Sequence, residues 1–212
     1  MRNPLDFTGR TVLVVGGSSG IGNGIARAFL EQGAAVHVWG TRPSAADYSA
    51  DEGSDLSGLH YAQVDLAQPS AVERHEPAFD RLDVLVLSQG TVIYRRGEFD
   101  PIGFRKVIEL NLNSLMDCGL KFRDMLRESK GSLITVSSTA AYHATKGNPA
   151  YNASKTGVVG LTRTLAQAWA GEGIRVNGIA PGLVDTKLTK VTTGNPERLA
   201  ASLANIPAGR LG

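Results

Sequence analysis

The sequence predicts an α/β protein, a doubly wound parallel sheet with helices on both faces, and three observations predict it. Short β-branched runs alternate with longer Ala- and Leu-rich segments along the 212 residues. Most of the short runs, "VLVV" among them, are continuously apolar, as strands covered on both faces are. The first run, in "TVLVVGGSSGIGNGIARAFLEQG", leads through a glycine turn straight into a helix. Alternation of this kind implies parallel strands joined by right-handed crossovers.

Taken in order, strands are predicted at Thr11–Val15, Ala35–Trp39, Leu59–Val64, Val84–Leu87, Leu133–Val136 and Arg175–Ile179. Helices are predicted around Ile21–Glu31, Ser70–Phe79, Pro101–Arg127 and Pro149–Ala170. The unit between Trp39 and Leu59, "GTRPSAADYSADEGSDLSG", is polar and rich in Gly, Ser and Asp, so it reads mostly as loop. No repeat or linker divides the chain, and residues 1–212 read as one domain.

Composition removes several function classes. Hydrophobic content of 42% with 20% charged residues belongs to a globular protein, and a net charge of +2 without a basic tract argues against nucleic acid. No apolar run approaches a membrane span, and "MRNPLDFTGR" lacks the apolar core of a secretory signal, so a cytoplasmic protein is expected. The single cysteine, Cys118, excludes an intrachain disulfide and reads as a small apolar filler. No metal site is read.

Gly16, Gly20 and Gly22 occupy the turn after the first strand. Bare backbone there lets a pyrophosphate approach the amides of a helix N-terminus, where the dipole favours anions. No Gly-Lys-Ser/Thr ending follows, which excludes a Walker loop.

"AAYHATKGNPAYNASKTG" carries the spacing Tyr-x-x-x-Lys twice, as Tyr142/Lys146 and Tyr151/Lys155. On a helix that spacing puts a phenol and a cation on one face. Asn148 before Pro149 is a helix start, with Asn as cap and Pro at the first helical position. Tyr151 and Lys155 therefore lie in the first two turns of a helix. Tyr142 and Lys146 precede the breaker cluster Gly147-Asn148-Pro149, and that copy reads as loop.

These motifs together resemble the short-chain dehydrogenase/reductase family, over nearly the whole chain. "VGGSSGIG" matches the family's first turn, "LNLNS" its Asn as Asn111, "ITVSS" its Ser as Ser138, "YNASK" its Tyr and Lys as Tyr151 and Lys155, and "NGIAPGLVDT" its Asn-x-x-x-Pro-Gly segment. The family's Ser-to-Tyr spacing also selects Tyr151, because Ser138 stands 13 residues before it. The resemblance implies a Rossmann-type fold and an oxidoreductase that moves hydride between a nicotinamide cofactor and a ketone or secondary alcohol. Asn111, Ser138, Tyr151 and Lys155 would form the catalytic tetrad, with Tyr151 as general acid and base. Lys155, the helix N-terminus and an oxidised nicotinamide would favour the phenolate of Tyr151.

By the same resemblance the cofactor would be held by Gly16, Ser18, Ser19, Gly20, Ile21, Gly22, Asp65, Gly90, Tyr151, Lys155, Pro181, Gly182 and Thr186. NADP(H) is favoured over NAD(H), because Gly40 stands where NAD-preferring members carry an acidic residue and Arg42 lies near enough to meet a 2′-phosphate. Substrate contacts would come from Ser138 with Tyr94, Tyr142, His143 and Leu183. Arg95, Arg96 and Lys146 read as solvated charge.

The chain departs from the family at Val15, where a Thr is usual, and at "LSQG" (Leu87 to Gly90), where Asn-Asn-Ala-Gly is usual. A joint change of two mutually supporting sites is expected to be a substituted packing solution. A further helix, a seventh strand and a glycine-rich tail would follow "IPAGRLG" in the family, so the sheet expected from this sequence is one without that C-terminal strand and helix. The resemblance also implies a homodimer or homotetramer and a small-molecule carbonyl or alcohol substrate. Rival readings are a nucleotide-binding or assembly protein with the same fold, and a methyltransferase, which leaves the Ser-Tyr-Lys set unexplained. A serine hydrolase lacks its Gly-x-Ser-x-Gly elbow.

Overall fold

A computed structural model of the chain describes residues 3, 5–68 and 70–212. Among them, strands β1 (Thr11–Val15), β2 (Ala35–Gly40), β3 (His60–Gln63), β4 (Val84–Leu87), β5 (Ser132–Val136) and β6 (Arg175–Ile179) form one sheet in the order β3-β2-β1-β4-β5-β6. Every pairing is parallel. The chain starts in the middle, winds outward through β2 and β3, then returns beside β1 and winds the other way. This is the Rossmann-type doubly wound fold, and β1/β4 is the point where the winding reverses.

The central strands are apolar throughout because both faces are covered. Leu13 and Val15 of β1 pack with Leu85 and Leu87 of β4 on one face, against Leu115, Phe122 and Trp169. Val12 and Val14 pack with Val84, Val86 and Ala26 on the other. Helices α4 (Ser114–Ser129) and α5 (Pro149–Trp169) supply the first set, and α1 (Gly20–Glu31) the second. Cys118 is fully buried on α4, where burial pushes its thiol far up. The departure at Val15 resolves here, since Val15 and Leu87 are register partners in the same apolar cluster. An apolar pair has taken the place of a polar one.

The predicted helix over 70–79 shrinks to α2 (Ala71–Arg74). His75 is already extended, and Pro77 disfavours helical backbone at Glu76 before it. His75 and Phe79 instead set their rings on Trp39 and His37, at 4.9 and 4.7 Å, covering the sheet face that a longer helix would cover. The predicted helix over 101–127 is broken in two. α3 (Pro101–Ile108) passes through a π-helical turn, Glu109–Asn113, into α4. Asp100 caps α3 by accepting the Ile102 and Gly103 N–H groups. Residues 41–59 are loop with two single 3-10 turns, as expected.

Beyond β6 lie two helices that the sequence reading did not assign, α6 (Lys190–Thr193) and α7 (Pro196–Leu203). Asn195 caps α7 by accepting the Arg198 N–H, with Pro196 at the first position. Among the described residues no helix is long and apolar enough to cross a membrane.

Candidate active site

The carboxyl ends of β1 and β4 open into a cleft of 340 Å³ at the winding reversal. Gly16 (φ +76°) closes the turn after β1, and a Cβ there would stand 2.8 Å from the backbone of Gln89 after β4. A Cβ on Gly22 would collide with the Gly16 carbonyl oxygen. Glycine is therefore required where the two loops and the start of α1 converge. Ser19, the N-cap of α1, makes no side-chain cap bond, which leaves first-turn amides available to an anion. Gly16, Ser18, Ser19, Gly20, Ile21, Gly22, Asp65, Gly90, Pro181, Gly182 and Thr186 all line this cleft. These residues fit a dinucleotide.

Arg42 does not line the cleft. Its guanidinium is at the rim, donating to the Asp47 carbonyl and lying 4.7 Å from the centre of the Tyr48 ring. Gly40 does line it, and a Cβ at that position would stand 2.6 Å from both Ser18 Oγ and the Tyr48 hydroxyl. The place an acidic side chain would occupy is closed by neighbours.

Ser138, Tyr151 and Lys155 meet at the other end of the cleft. Ser138 follows β5, and its Oγ accepts the Ala140 N–H at 3.1 Å. Asn152 of α5 donates to the Ala140 and His143 carbonyls, holding the Ser138 loop against the helix. Burial pushes the Tyr151 phenol above its usual pKa, a hydrogen bond from Ser138 pulls it down, and the charge of Glu98 raises it again. The net shift is upward. Lys155 is not among the causes of that shift. Lys155 is 4% exposed, with Nζ 5.7 Å from the Tyr151 ring centre and donating to the Val136 carbonyl at 2.8 Å. Burial lowers its own pKa to about 8.

Asn111 is wholly buried in the π-helical turn and does not line the cleft. Its Oδ1 accepts the Thr91 N–H at 2.7 Å, and its Nδ2 donates to the Thr91 carbonyl and to Ser154 Oγ. The side chain thus fastens the loop after β4 to α5. Of the substrate candidates, Ser138 alone lines the cleft. Tyr94 donates its hydroxyl to the Leu188 carbonyl at 2.7 Å, Tyr142 is 65% exposed, His143 is exposed, and the Leu183 carbonyl accepts the Gly212 N–H.

Three residues at the site carry no sequence signal of their own. Asn23 ties the glycine turn to the 41–59 loop through the Gly17 carbonyl and both backbone groups of Asp55. Gln89 is buried, donates to Ser114 Oγ, and keeps an unpaired Oε1. Because Ser114 gives its own hydroxyl proton to the Leu110 carbonyl, the Gln89 amide orientation is fixed. Glu98 replaces the expected cap of α5. Asn148 makes no side-chain cap bond, and Glu98 Oε2 accepts the Tyr151 N–H at 2.9 Å instead.

The chain is similar to known proteins over nearly its whole length. The family model described as short chain dehydrogenase matches residues 10–196. A 3-oxoacyl-acyl-carrier-protein reductase of Chlamydia pneumoniae is 34% identical, the match covering 98% of this chain and 86% of the relative. A 2-dehydro-3-deoxy-D-gluconate 5-dehydrogenase of Bacillus subtilis is 33% identical over 100% and 85%. Among solved structures, the RhlG/NADP active-site complex of Pseudomonas aeruginosa superposes with a TM-score of 0.89 at 34% identity, covering 100% of this chain and 87% of that one.

Proposed function

The chain belongs to the short-chain dehydrogenase family, and we propose on that premise that it interconverts a ketone and a secondary alcohol with NADP(H), using Tyr151 as general acid and base. One observation carries the reading: the glycine turn, Ser138, Tyr151 and Lys155 line one continuous cleft. The nicotinamide, when bound, supplies or takes the hydride. Tyr151 gives its phenolic proton to the carbonyl oxygen during reduction and recovers it during oxidation, while the Ser138 hydroxyl hydrogen-bonds the same oxygen. Burial keeps the phenol protonated at neutral pH, the form that a reduction needs. Lys155, with a pKa of about 8, is mostly protonated there and holds its charge beneath the ring. Asn111 acts on the same site by fixing the loop after β4.

The preference for NADP(H) rests on two features of this chain and one of a relative. No acidic side chain fits at Gly40, and Arg42 stands at the adjacent rim, where leaving the Asp47 carbonyl would bring its charge to a 2′-phosphate. A relative of the same fold is an NADP complex. The relatives' names, an oxoacyl reductase and a gluconate 5-dehydrogenase, suit chemistry at an oxo or hydroxyl carbon.

The test is Tyr151→Phe, assayed with NADPH against a panel of ketones. The expected result is a fall in kcat of at least about 100-fold with NADPH binding retained in a fluorescence titration. Turnover at the wild-type rate would overturn the assignment.

A further inference from the structure

Glu98 sits in a single 3-10 turn, Gly97–Phe99, after the loop that leaves β4. It is 1% exposed, and its carboxylate accepts three N–H groups from two segments. Oε1 accepts the Ile93 N–H at 3.0 Å and an Asn148 Nδ2 proton at 3.2 Å; Oε2 accepts the Tyr151 N–H at 2.9 Å. Among the described residues no Lys, Arg or His forms an ion pair with it. Burying an unpaired carboxylate is expensive, and an ordinary helix cap would be cheaper. The ordinary cap is present and unused: Asn148 turns its amide to Glu98 and the Ile93 carbonyl. The charge is instead held at the positive end of the α5 dipole, on the backbone of the residue that would move the proton.

The same carboxylate restrains a strained loop. Arg95 and Arg96 are consecutive residues with left-handed backbone, at φ 56° and 61°. Such backbone persists where neighbouring contacts over-determine it. Here the Ile93 N–H is fixed by Glu98 on one side of the pair, and Gly97 N–H bonds the Tyr94 carbonyl across it. Tyr94 in turn bonds Leu188 beyond β6.

We propose that Glu98 is the positioning residue of the active site, locking the loop after β4 to the backbone of Tyr151 and setting the electrostatic background of its phenol. The proposal rests on the oxidoreductase reading of Tyr151. The groups facing that phenol are Ser138 from the β5 side, Tyr94 and Glu98 from the loop after β4, and Lys155 from the next turn of α5. The charge of Glu98 raises the phenol, so a neutral side chain at 98 lets it ionise at lower pH.

The test compares Glu98→Gln and Glu98→Ala with wild type in amide hydrogen exchange, tyrosinate absorbance and the pH dependence of alcohol oxidation with NADP. Exchange at the Tyr151 amide is expected to quicken about tenfold in Glu98→Ala, the loss of one bond to a charged acceptor. In Glu98→Gln, which keeps the shape, the rise of oxidation with pH is expected to move to lower pH, and NADP affinity to stay within about twofold. A merely structural role would lower the plateau and leave the position of that rise unchanged. Should Glu98→Ala fail to fold, Glu98→Gln decides. An unmoved pH rise together with wild-type exchange at Tyr151 in Glu98→Gln overturns the proposal. If the wild-type protein turns over no carbonyl or alcohol, the oxidoreductase reading fails by itself. Amide exchange and the tyrosinate titration then still decide what Glu98 holds.

Discussion

The two ends of the sheet treat buried polar groups in opposite ways. At the amino end Asp83, just before β4, is 5% exposed and fully matched: Arg10 and Arg81 each reach its carboxylate at 2.7 Å, and the Thr11 N–H at 3.0 Å. Burial works to raise its pKa, but the bonds from Arg81, Thr11 and Arg10 overcome it and hold the carboxyl below its usual range. At the carboxyl end Lys155 is equally buried with one carbonyl as its hydrogen-bond partner, Gln89 keeps an unpaired oxygen, and Glu98 is buried with no ion pair among the described residues. One end stabilises the fold. On the proposed function, the other tolerates mismatch because its groups are arranged for chemistry.

The sharpest way to break that contrast is to relieve the mismatch at Lys155. Lys155→Met is expected to lower turnover by at least about 100-fold and yet raise stability at neutral pH by roughly 2 to 3 kcal/mol. The sign follows from proton binding: the folded lysine titrates near 8 and the unfolded one near 10.5. Between those values the unfolded chain binds the extra proton, so wild-type stability recovers as pH rises. The variant's advantage should shrink across that window, which urea unfolding at neutral and alkaline pH measures. A variant less stable than wild type at neutral pH would remove the contrast.

The converse change at the amino end should reverse the effect on stability and leave turnover alone. Asp83→Asn is expected to cost about 2 kcal/mol in urea unfolding while kcat stays unchanged. Since a depressed carboxyl stabilises above its usual pKa, the two proteins should converge in stability as pH falls through the folded value. The smallest effect is expected at Tyr142, which lies on the carboxyl side but 65% exposed. Tyr142→Phe should change kcat by less than about twofold; a loss matching that of Tyr151→Phe would mean that position, rather than burial, makes a tyrosine catalytic.

What the sequence disclosed follows the same division. β1 and β4 match their predicted bounds because buried parallel strands leave continuous apolar runs, β6 matches as a largely exposed edge strand, and the glycine turn is legible because only glycine fits beside Gln89. Periodicity carried on from α3 into α4 and hid the π-helical turn, since inserting one residue into a helical ladder leaves composition unchanged. The Asn195-Pro196 start of α7 repeats the helix-start signal of Asn148-Pro149, but only the Asn195 side chain makes the cap bond that such a signal implies. Glu98 had no signal to read. In "RRGEFD" it resembles any solvated charge, and its decisive contact is with a residue far along the chain.

The strand order also governs how the molecule assembles in time. β1 pairs with β2 after one short helix, but Val12 meets Val84 only when the whole β2–β3 excursion has closed. Loop-closure entropy must be overcome before that contact is rewarded, so β1–β4 pairing belongs to the late, non-local part of folding. The cleft lies across that seam and exists only once it has closed. A ligand bound there has no partner in the earlier, half-wound chain. It therefore acts as a brake on unfolding rather than an accelerator of folding, and gives the protein persistence where equilibrium stability is spent on the site.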